Sequence, residues 1–177
     1  IYRSEKVSKA DVESTEQQMD LAQNAWRLLD EWKIPPGTIA GSGFSGDAFK
    51  QWVNAVKVSA AESGHLKVAL SSIGSVLIHC PPDPDGLWLH RTVAEVLNER
   101  DFEEIRSGFS TAIYNLRGAH WVDPTGKPEK ELANKYRLQA DETENAGYQR
   151  IAVMLRSVAE SYDRESERHI AEHKSKM

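Results

Sequence analysis

Apolar residues recur at helical spacing through most of the chain, beginning with a segment from about Ser8 to Lys33. Ser8 and Asp11 can form a capping box at its start. The later apolar residues of this segment fall on one helical face: Leu21, Ala25, Leu28, Leu29 and Trp32. The polar first half offers almost nothing to a core, so we expect it to project, to lead in from an upstream domain, or to pack on a partner. Pro35 and Pro36 end the helix, because proline cannot continue its hydrogen bonding.

Three further helices are predicted in the middle of the chain. Ser45 or Asp47 can cap the first of them, and Gly64 closes it. Its helically spaced apolar residues are Phe49, Trp52, Val53, Val56 and Ala60. Leu66, Leu70, Ile73 and Leu77 mark the second helix, for which the β-branched residues of 68–78 leave a strand as the alternative. A proline-rich loop at 81–86 precedes the third, short helix, with Val93, Val96 and Leu97.

Three helices are also predicted in the C-terminal half. Asp101 with Glu104 can cap the first of these, which ends at Arg117-Gly118. A turn at 123–126 leads to the second, with Pro128 in its first turn. The last shows apolar residues at Ile151, Leu155, Val158 and Tyr162. The segment from Asp163 to Met177 is wholly polar, so we expect it to be frayed or solvated.

These segments predict an all-α fold, an irregular or orthogonal bundle of about seven helices. The sequence shows no alternating strand pairs and no hairpin signal. We expect a polar helical lead-in or linker at 1–20, a single helical domain at 21–168 and a polar tail at 169–177.

Composition narrows the classes of function. The 177 residues include 22 basic and 27 acidic side chains, a formal net charge of −5. This balance disfavours non-specific binding to nucleic acid or to anionic membranes without excluding a local nucleic-acid patch. A single cysteine excludes an intrachain disulfide framework and fits a reducing compartment, so we expect a cytoplasmic protein with no membrane span. The chain starts at Ile1 without an initiator Met and reads as the C-terminal piece of a longer protein.

Two motifs match ligand-binding signatures in the wrong context. Residues 41–46, Gly-Ser-Gly-Phe-Ser-Gly, match the dinucleotide-binding glycine pattern, but no buried strand precedes them, so we interpret them as a loop and helix start. His169 and His173 with Glu172 match an inverted zinc-protease motif. Its flanks are charged and supply no third ligand, so we interpret it as an exposed helix end and predict neither a metal nor a cofactor.

The proline-rich loop offers an alternative active site. It brings together side chains that could supply a thiolate nucleophile or metal ligands: His79, Cys80, Asp83, Asp85 and His90. Spacing gives this set no further support, because a lone cysteine after an apolar run is most often a small buried residue. No catalytic residues are therefore predicted.

Aromatic and basic side chains at two helix ends are the candidate binding residues. They are Trp88, His90, Arg91, Arg117, His120 and Trp121. Tryptophan and arginine most often anchor protein interfaces. Both tryptophans could instead fill corners of the helical core, and that interpretation is the more favoured of the two.

Short segments of the chain resemble a helical module found at the C-terminus of large bacterial proteins. They are Trp26, the predicted helix from Ala69 to His79, Pro82-Asp83-Pro84-Asp85-Gly86-Leu87-Trp88, the stretch from Phe109 to Gly118, and the stretch from Leu155 to Tyr162. The resemblance covers roughly residues 21–168. It implies an accessory or recognition domain of a multidomain protein and brings no catalytic residues with it.

Together these features predict a non-catalytic helical interaction or accessory module of a larger bacterial protein. Its partner would be another protein or an upstream domain of the same chain. Two alternatives remain: a metal- or Cys/His-dependent hydrolase built on the proline-rich loop, and a nucleic-acid recognition arm of a bacterial defence protein. The sequence predicts no oligomeric state.

Overall fold

Seven α-helices and one minute sheet make up the described parts of the chain. The computed structural model describes residues 16–41, 43–118 and 121–175. The helices are α1 (Glu16–Glu31), α2 (Gly46–Ser63), α3 (Leu66–Leu77), α4 (Arg91–Asn98), α5 (Glu103–Asn115), α6 (Lys127–Asn145) and α7 (Gln149–Lys174). The predicted all-α bundle of about seven helices is confirmed, and α3 is a helix as expected.

Helices α6 and α7 form the longest pair and run antiparallel across a tight turn at 146–148. Arginine–carboxylate pairs link them along their length, from Arg156 with Asp141 and Glu144 near the turn to Arg137 with Asp163 farther along. Next to the pair of Arg137 and Asp163, the rings of Tyr136 and Tyr162 stack with their centroids 5.8 Å apart. The pair therefore combines an apolar seam with charged edges.

Helices α3 and α5 cross at close range because two glycines face the opposing backbone. A Cβ atom on Gly74 would lie 2.0 Å from the carbonyl oxygen of Ile105. A Cβ atom on Gly108 would lie 2.0 Å from the carbonyl oxygen of Ser71. Any larger residue would force these helices apart, so both positions require glycine for packing.

One apolar core joins six of the seven helices. Five of these helices contribute its largest fully buried side chains, which include Phe49 from α2, Ile73 and Leu77 from α3, Leu97 from α4, Ile105 and Phe109 from α5, and Ile151, Leu155 and Tyr162 from α7. Tyr136 and Ala140 bring α6 into the same cluster. The core thus extends from α2 to α7 within the predicted domain at 21–168, whose boundaries remain predictions.

A small β-hairpin, which the sequence did not predict, precedes α2. Strands β1 (Thr38–Ile39) and β2 (Gly43–Phe44) pair antiparallel, with Thr38 opposite Phe44. Gly41 and Gly43 take positive φ angles of 74° and 100°, which let the chain reverse at little cost. Strands of two residues are too short for an alternating pattern, so the expectation of no hairpin was wrong here.

Most predicted helix ends agree with the structure. Ser45 caps α2 through a hydrogen bond from the Ala48 amide, and Gly64 closes the helix in the left-handed conformation. Asp101 does not cap α5, because Phe102 occupies the N-cap position without a side-chain bond. The predicted capping box at Ser8 and Asp11 lies outside the described residues.

The C-terminal helix departs from the expected solvated tail. Helix α7 continues through the polar segment to Lys174, and both Ser166 and His169 on it are buried. None of the described helices is both long and apolar enough to cross a membrane.

Helix α1 is the exception to the packed bundle. Its predicted apolar face does not enter the core, since Leu21 and Leu28 are each 71% exposed. Among the described residues, contact with the body of the molecule is seen just after the helix, where the rings of Trp32 and Trp52 meet edge to face at 5.4 Å.

Candidate functional site

The connection between α5 and α6 is anchored at its first residues by an ionic cluster. Arg117 donates a hydrogen bond through Nη2 to Oε1 of Glu129, in the first turn of α6. Its Nη1 atom also lies 3.7 Å from Oε2 of Glu165 on α7. The Glu129 side chain is fully buried and that of Arg117 nearly so. Because a buried carboxylate is costly without a partner, Arg117 is fixed in place by its structural role.

His169 completes this cluster from the next turn of α7. Its Nδ1 atom lies 3.6 Å from Oε1 of Glu129, and its Nε2 atom 4.0 Å from Oε1 of Glu165. Within the described part of the chain, Nη1 of Arg117, Oε2 of Glu129 and Nδ1 of His169 are buried without a hydrogen-bond partner. Ordered water is the usual partner for such atoms.

The charge of the cluster favours an ionised Glu129. Loss of hydration opposes ionisation of this carboxylate, but the hydrogen bond from Arg117 and the charge of its guanidinium outweigh it, so the pKa of Glu129 is lowered. The arginine and the glutamate therefore form a charged pair at neutral pH. This pair joins the end of α5 to the start of α6.

The far end of the α5–α6 connection is anchored as well. Oδ1 of Asp123 accepts hydrogen bonds from the amide of Thr125 at 2.8 Å and from its hydroxyl at 2.7 Å, which closes a turn. Gly126 is buried against α7, where its carbonyl oxygen accepts a 2.8 Å hydrogen bond from the hydroxyl of Ser166. A Cβ atom at Gly126 would lie 2.3 Å from that hydroxyl oxygen, so the contact needs glycine.

Between these anchors the chain presents apolar side chains to solvent. Trp121 is 93% exposed, and its neighbour Val122 is about half exposed. We call Trp121 and Val122 the Trp121 patch. His120, a candidate from the sequence, lies outside the described residues.

Trp88 has the opposite environment. Its Nε1 atom donates a 2.9 Å hydrogen bond to the hydroxyl of Thr143 on α6, and its ring packs 6.3 Å from that of Phe109. The prediction that a tryptophan fills a corner of the core is therefore confirmed for Trp88. It is wrong for Trp121, which no helix of the described chain covers.

The other residues of the proline-rich loop mainly organise the start of α4. Buried Asp83 accepts hydrogen bonds from the amides of Asp85 at 3.0 Å and Arg91 at 2.7 Å. Burial opposes its ionisation, but these bonds outweigh that effect and lower the pKa of Asp83. Nδ1 of His90 accepts from the amide of Thr92, so His90 is the N-cap of α4. The guanidinium of Arg91 pairs with Asp85 at the surface, 3.1 Å away.

The geometry gives little support to a nucleophilic or metal site in this loop. Burial raises the pKa of the Cys80 thiol to about 12, which keeps it protonated and unreactive at neutral pH. No group of three histidine, cysteine, aspartate or glutamate side chains among the described residues could hold a metal ion. A shallow depression of about 640 Å³ does lie beside Asp85 and Arg91, bordered by Glu142 and Tyr148.

The two motif matches also resolve into structural features. The described residues of the glycine motif at 41–46 form the hairpin and the start of α2. In the inverted zinc-protease motif, His169 is buried in the ionic cluster, whereas Glu172 and His173 are exposed. The interpretation of this motif as an entirely exposed helix end was therefore wrong for His169.

Sequence reasoning missed Glu129, Glu165 and His169, although a signal was present. Glu129 occupies the same helical face as Ala133, Tyr136 and Ala140, all of them buried. His169 likewise continues the buried face of Val158, Tyr162 and Ser166. A charged residue on the same helical face as buried apolar residues is itself expected to be buried, and it then needs a partner of opposite charge. Arg117 is that partner for Glu129.

No family model matches this chain, and neither a curated protein nor a solved structure shows significant similarity to it. The class of the protein is therefore given by its own fold, an all-α irregular bundle.

Proposed function

We propose that this chain is a non-catalytic interaction module that binds a protein partner through the Trp121 patch. The observation that supports this proposal is the exposure of Trp121 on a connection anchored at both ends. Large exposed aromatic side chains on a folded domain are costly to keep in water, and they are the side chains that most often dominate interface energies.

The anchors add a second argument for binding. Arg117 holds the start of the connection to α6 and α7, and Gly126 holds its end to α7. A loop fixed in this way loses less conformational entropy when it binds than a free loop does. The partner that fits is a protein with an apolar pocket wide enough for an indole ring and a hydrogen-bond acceptor for its N–H.

The remaining candidate residues take different roles in this proposal. Trp88 and Arg117 shape the domain and would affect binding through folding. Arg91 pairs with Asp85 beside Glu142, near the end of α6 that is opposite the Trp121 connection, so it is not part of this surface.

Quantitative affinity capture from host lysate tests the proposal, with the wild-type chain, Trp121→Ala and Leu138→Ala as baits. Leu138 is a matched control because it is an exposed apolar residue on α6, outside the Trp121 patch. We expect a discrete protein to be retained by the wild type and by Leu138→Ala and to be lost with Trp121→Ala. Equal retention by all three baits would overturn the proposal.

Nuclease treatment and a salt series separate the nucleic-acid alternative in the same experiment. Phosphate contacts weaken steeply as salt rises. Recovery of nucleic acid alone, lost at moderate salt, would replace protein binding by nucleic-acid recognition as the function.

A further inference from the structure

Helix α1 presents an apolar stripe to solvent along one side. Leu21 and Leu28, two turns apart on the same face, are each 71% exposed, and Leu29 beside them is 40% exposed. In the described chain, α1 belongs to none of the helix pairs that pack closely. An amphipathic helix of this kind is stable in water when its apolar side is covered.

A groove of matching length lies between the first halves of α5 and α7. It encloses about 510 Å³ and is lined by Arg106 and Ser110 from α5 and by Arg150, Val153 and Met154 from α7. Val153 is 64% exposed, so the groove is open to a partner. The stripe on α1 and the lining of α7 each extend over about eight residues, or about 12 Å at the rise of an α-helix.

One end of the groove carries positive charge. Arg106 donates hydrogen bonds to the carbonyl oxygens of Leu97 and Glu99, and Arg150 donates to that of Asn98. Neither arginine forms an ion pair with a carboxylate in the described chain, and α5 and α7 both begin at this end. Loss of hydration and then the charge of Arg150 lower the pKa of Arg106, whereas the charge of Glu103 raises it. Glu103 lines the same end of the groove, so one carboxylate stands against two arginines and that end keeps a net positive charge. An anionic group would be attracted to this charge.

The sequence of α1 supplies such groups. It carries four acids and Arg27 as its one base, and its last turn contains Asp30 and Glu31 with no basic residue. The C-terminal end of a helix is also the negative end of its dipole. That end of α1 is therefore complementary to the arginine end of the groove.

We propose that α1 of one copy of this chain docks into the α5–α7 groove of a second copy. The helix lies antiparallel to α5 and α7, with its last turn beside Arg106 and Arg150 and its apolar stripe against Val153 and Met154. In a symmetric dimer each copy supplies one helix and fills one groove. Direct pairing of α1 with α1 would instead bring two acidic helices together.

Molecular mass measured by light scattering, over a range of protein concentrations, tests this arrangement. We expect a dimer for the wild type, and at least a tenfold increase in its dissociation constant for Leu28→Glu and for Val153→Glu. Val58→Glu and Leu138→Glu are the controls, because both residues are exposed on other helices, and both variants are expected to remain dimeric. A monomeric wild type would overturn the proposal.

Two further experiments separate docking from misfolding and from pairing of α1 with itself. A mixture of Leu28→Glu and Val153→Glu chains retains one intact helix and groove, so it is expected to form heterodimers. Arg150→Glu is expected to weaken the dimer at least tenfold, and Glu31→Lys in the same chain to restore it. If Leu28→Glu abolishes the dimer while Val153→Glu leaves it unchanged, the groove is not the docking site.

Discussion

Two loops of this molecule each carry a tryptophan, an arginine and an aspartate-stabilised turn, but they place the tryptophan in opposite environments. In the proline-rich loop, Trp88 donates a hydrogen bond to Thr143 and packs beside Phe109. In the α5–α6 connection, Trp121 is 93% exposed. The turns themselves are alike, since Asp83 and Asp123 each accept two hydrogen bonds from residues that follow them.

The difference lies in what anchors each loop. Trp88 is itself an anchor of the proline-rich loop, so its side chain is used in folding. The α5–α6 connection is anchored instead by Arg117 and Gly126, which leaves Trp121 unused by the fold. A buried ion pair here takes the place of an aromatic anchor, which leaves the ring of Trp121 exposed to solvent.

The largest effect is expected from removal of the arginine anchor. Arg117→Met leaves the fully buried carboxylate of Glu129 without its partner, so we expect the free energy of unfolding to fall by about 3 to 5 kcal/mol. Urea unfolding monitored by circular dichroism measures it. The matched control is Arg164→Met, which removes an exposed pair with Glu160 and should cost less than about 1 kcal/mol.

A double variant distinguishes the buried charge from lost packing. Arg117→Met with Glu129→Leu removes both charges, and we expect it to recover most of the lost stability. If Arg117→Met costs no more than Arg164→Met, the ion pair does not anchor the connection.

The next effect tests the aromatic anchor. Trp88→Ala removes a large, partly buried ring and its hydrogen bond, so we expect a loss of about 3 kcal/mol in the same unfolding measurement. Trp88→Phe keeps most of the packing and should cost about 1 kcal/mol for the hydrogen bond. A loss below about 1 kcal/mol for Trp88→Ala would remove the contrast between the two loops.

The buried turn aspartate is expected to contribute less. Asp83→Ala leaves the amides of Asp85 and Arg91 without their acceptor, with an expected loss of about 2 kcal/mol. Asp85→Ala is the control in the same loop, since its carboxylate is exposed and should matter much less. Equal effects of the two changes would mean that the buried hydrogen bonds do not organise the loop.

Acid should weaken the contacts that hold both loops, because the pKa of Glu129 and that of Asp83 are lowered in the folded state. A carboxyl group whose pKa is lowered by folding stabilises the folded state fully at any pH above its unfolded pKa of about 4. This stabilisation is lost as the pH falls through the lower pKa of the folded state. We expect the free energy of unfolding to decline between about pH 4.5 and pH 2. The decline should be shallower in the Arg117→Met, Glu129→Leu double variant; an identical pH profile would contradict the assigned role of Glu129.

The smallest expected effect on stability is that of Trp121→Ala. The side chain makes no buried contact in the described chain, so the free energy of unfolding should change by no more than about 0.5 kcal/mol. Thermal and urea unfolding check this value. A loss of 2 kcal/mol or more would show that Trp121 belongs to the fold and not to a binding surface.

The helical segments could be predicted because their apolar spacing reflects burial in one common core. Phe49 and Val53, for example, are fully buried at the predicted spacing. Whether each of the two tryptophans is buried or exposed could not be predicted in the same way, because neither lies in a segment with periodic apolar spacing. It depends on long-range partners, Thr143 for Trp88 and the Arg117–Glu129 pair for the α5–α6 connection.

The hairpin and the tail show the same limit. Thr38 pairs with Phe44 and Ile39 with Gly43, in strands of two residues that are too short to produce an alternating signal. The polar stretch after Asp163 was predicted to be exposed because its composition does not show which of its residues face the rest of the fold. Ser166 and His169 are buried there since they face α6 and the connection before it.

The most direct test is the affinity of the captured protein partner for the wild-type chain and for Trp121→Ala, measured by calorimetry on samples of equal folded fraction. A central aromatic anchor contributes about 2 kcal/mol or more, so we expect binding to weaken by about 30-fold or more while stability stays unchanged. Equal affinity of the two folded chains would contradict the assignment of Trp121 as the anchor of an interaction surface.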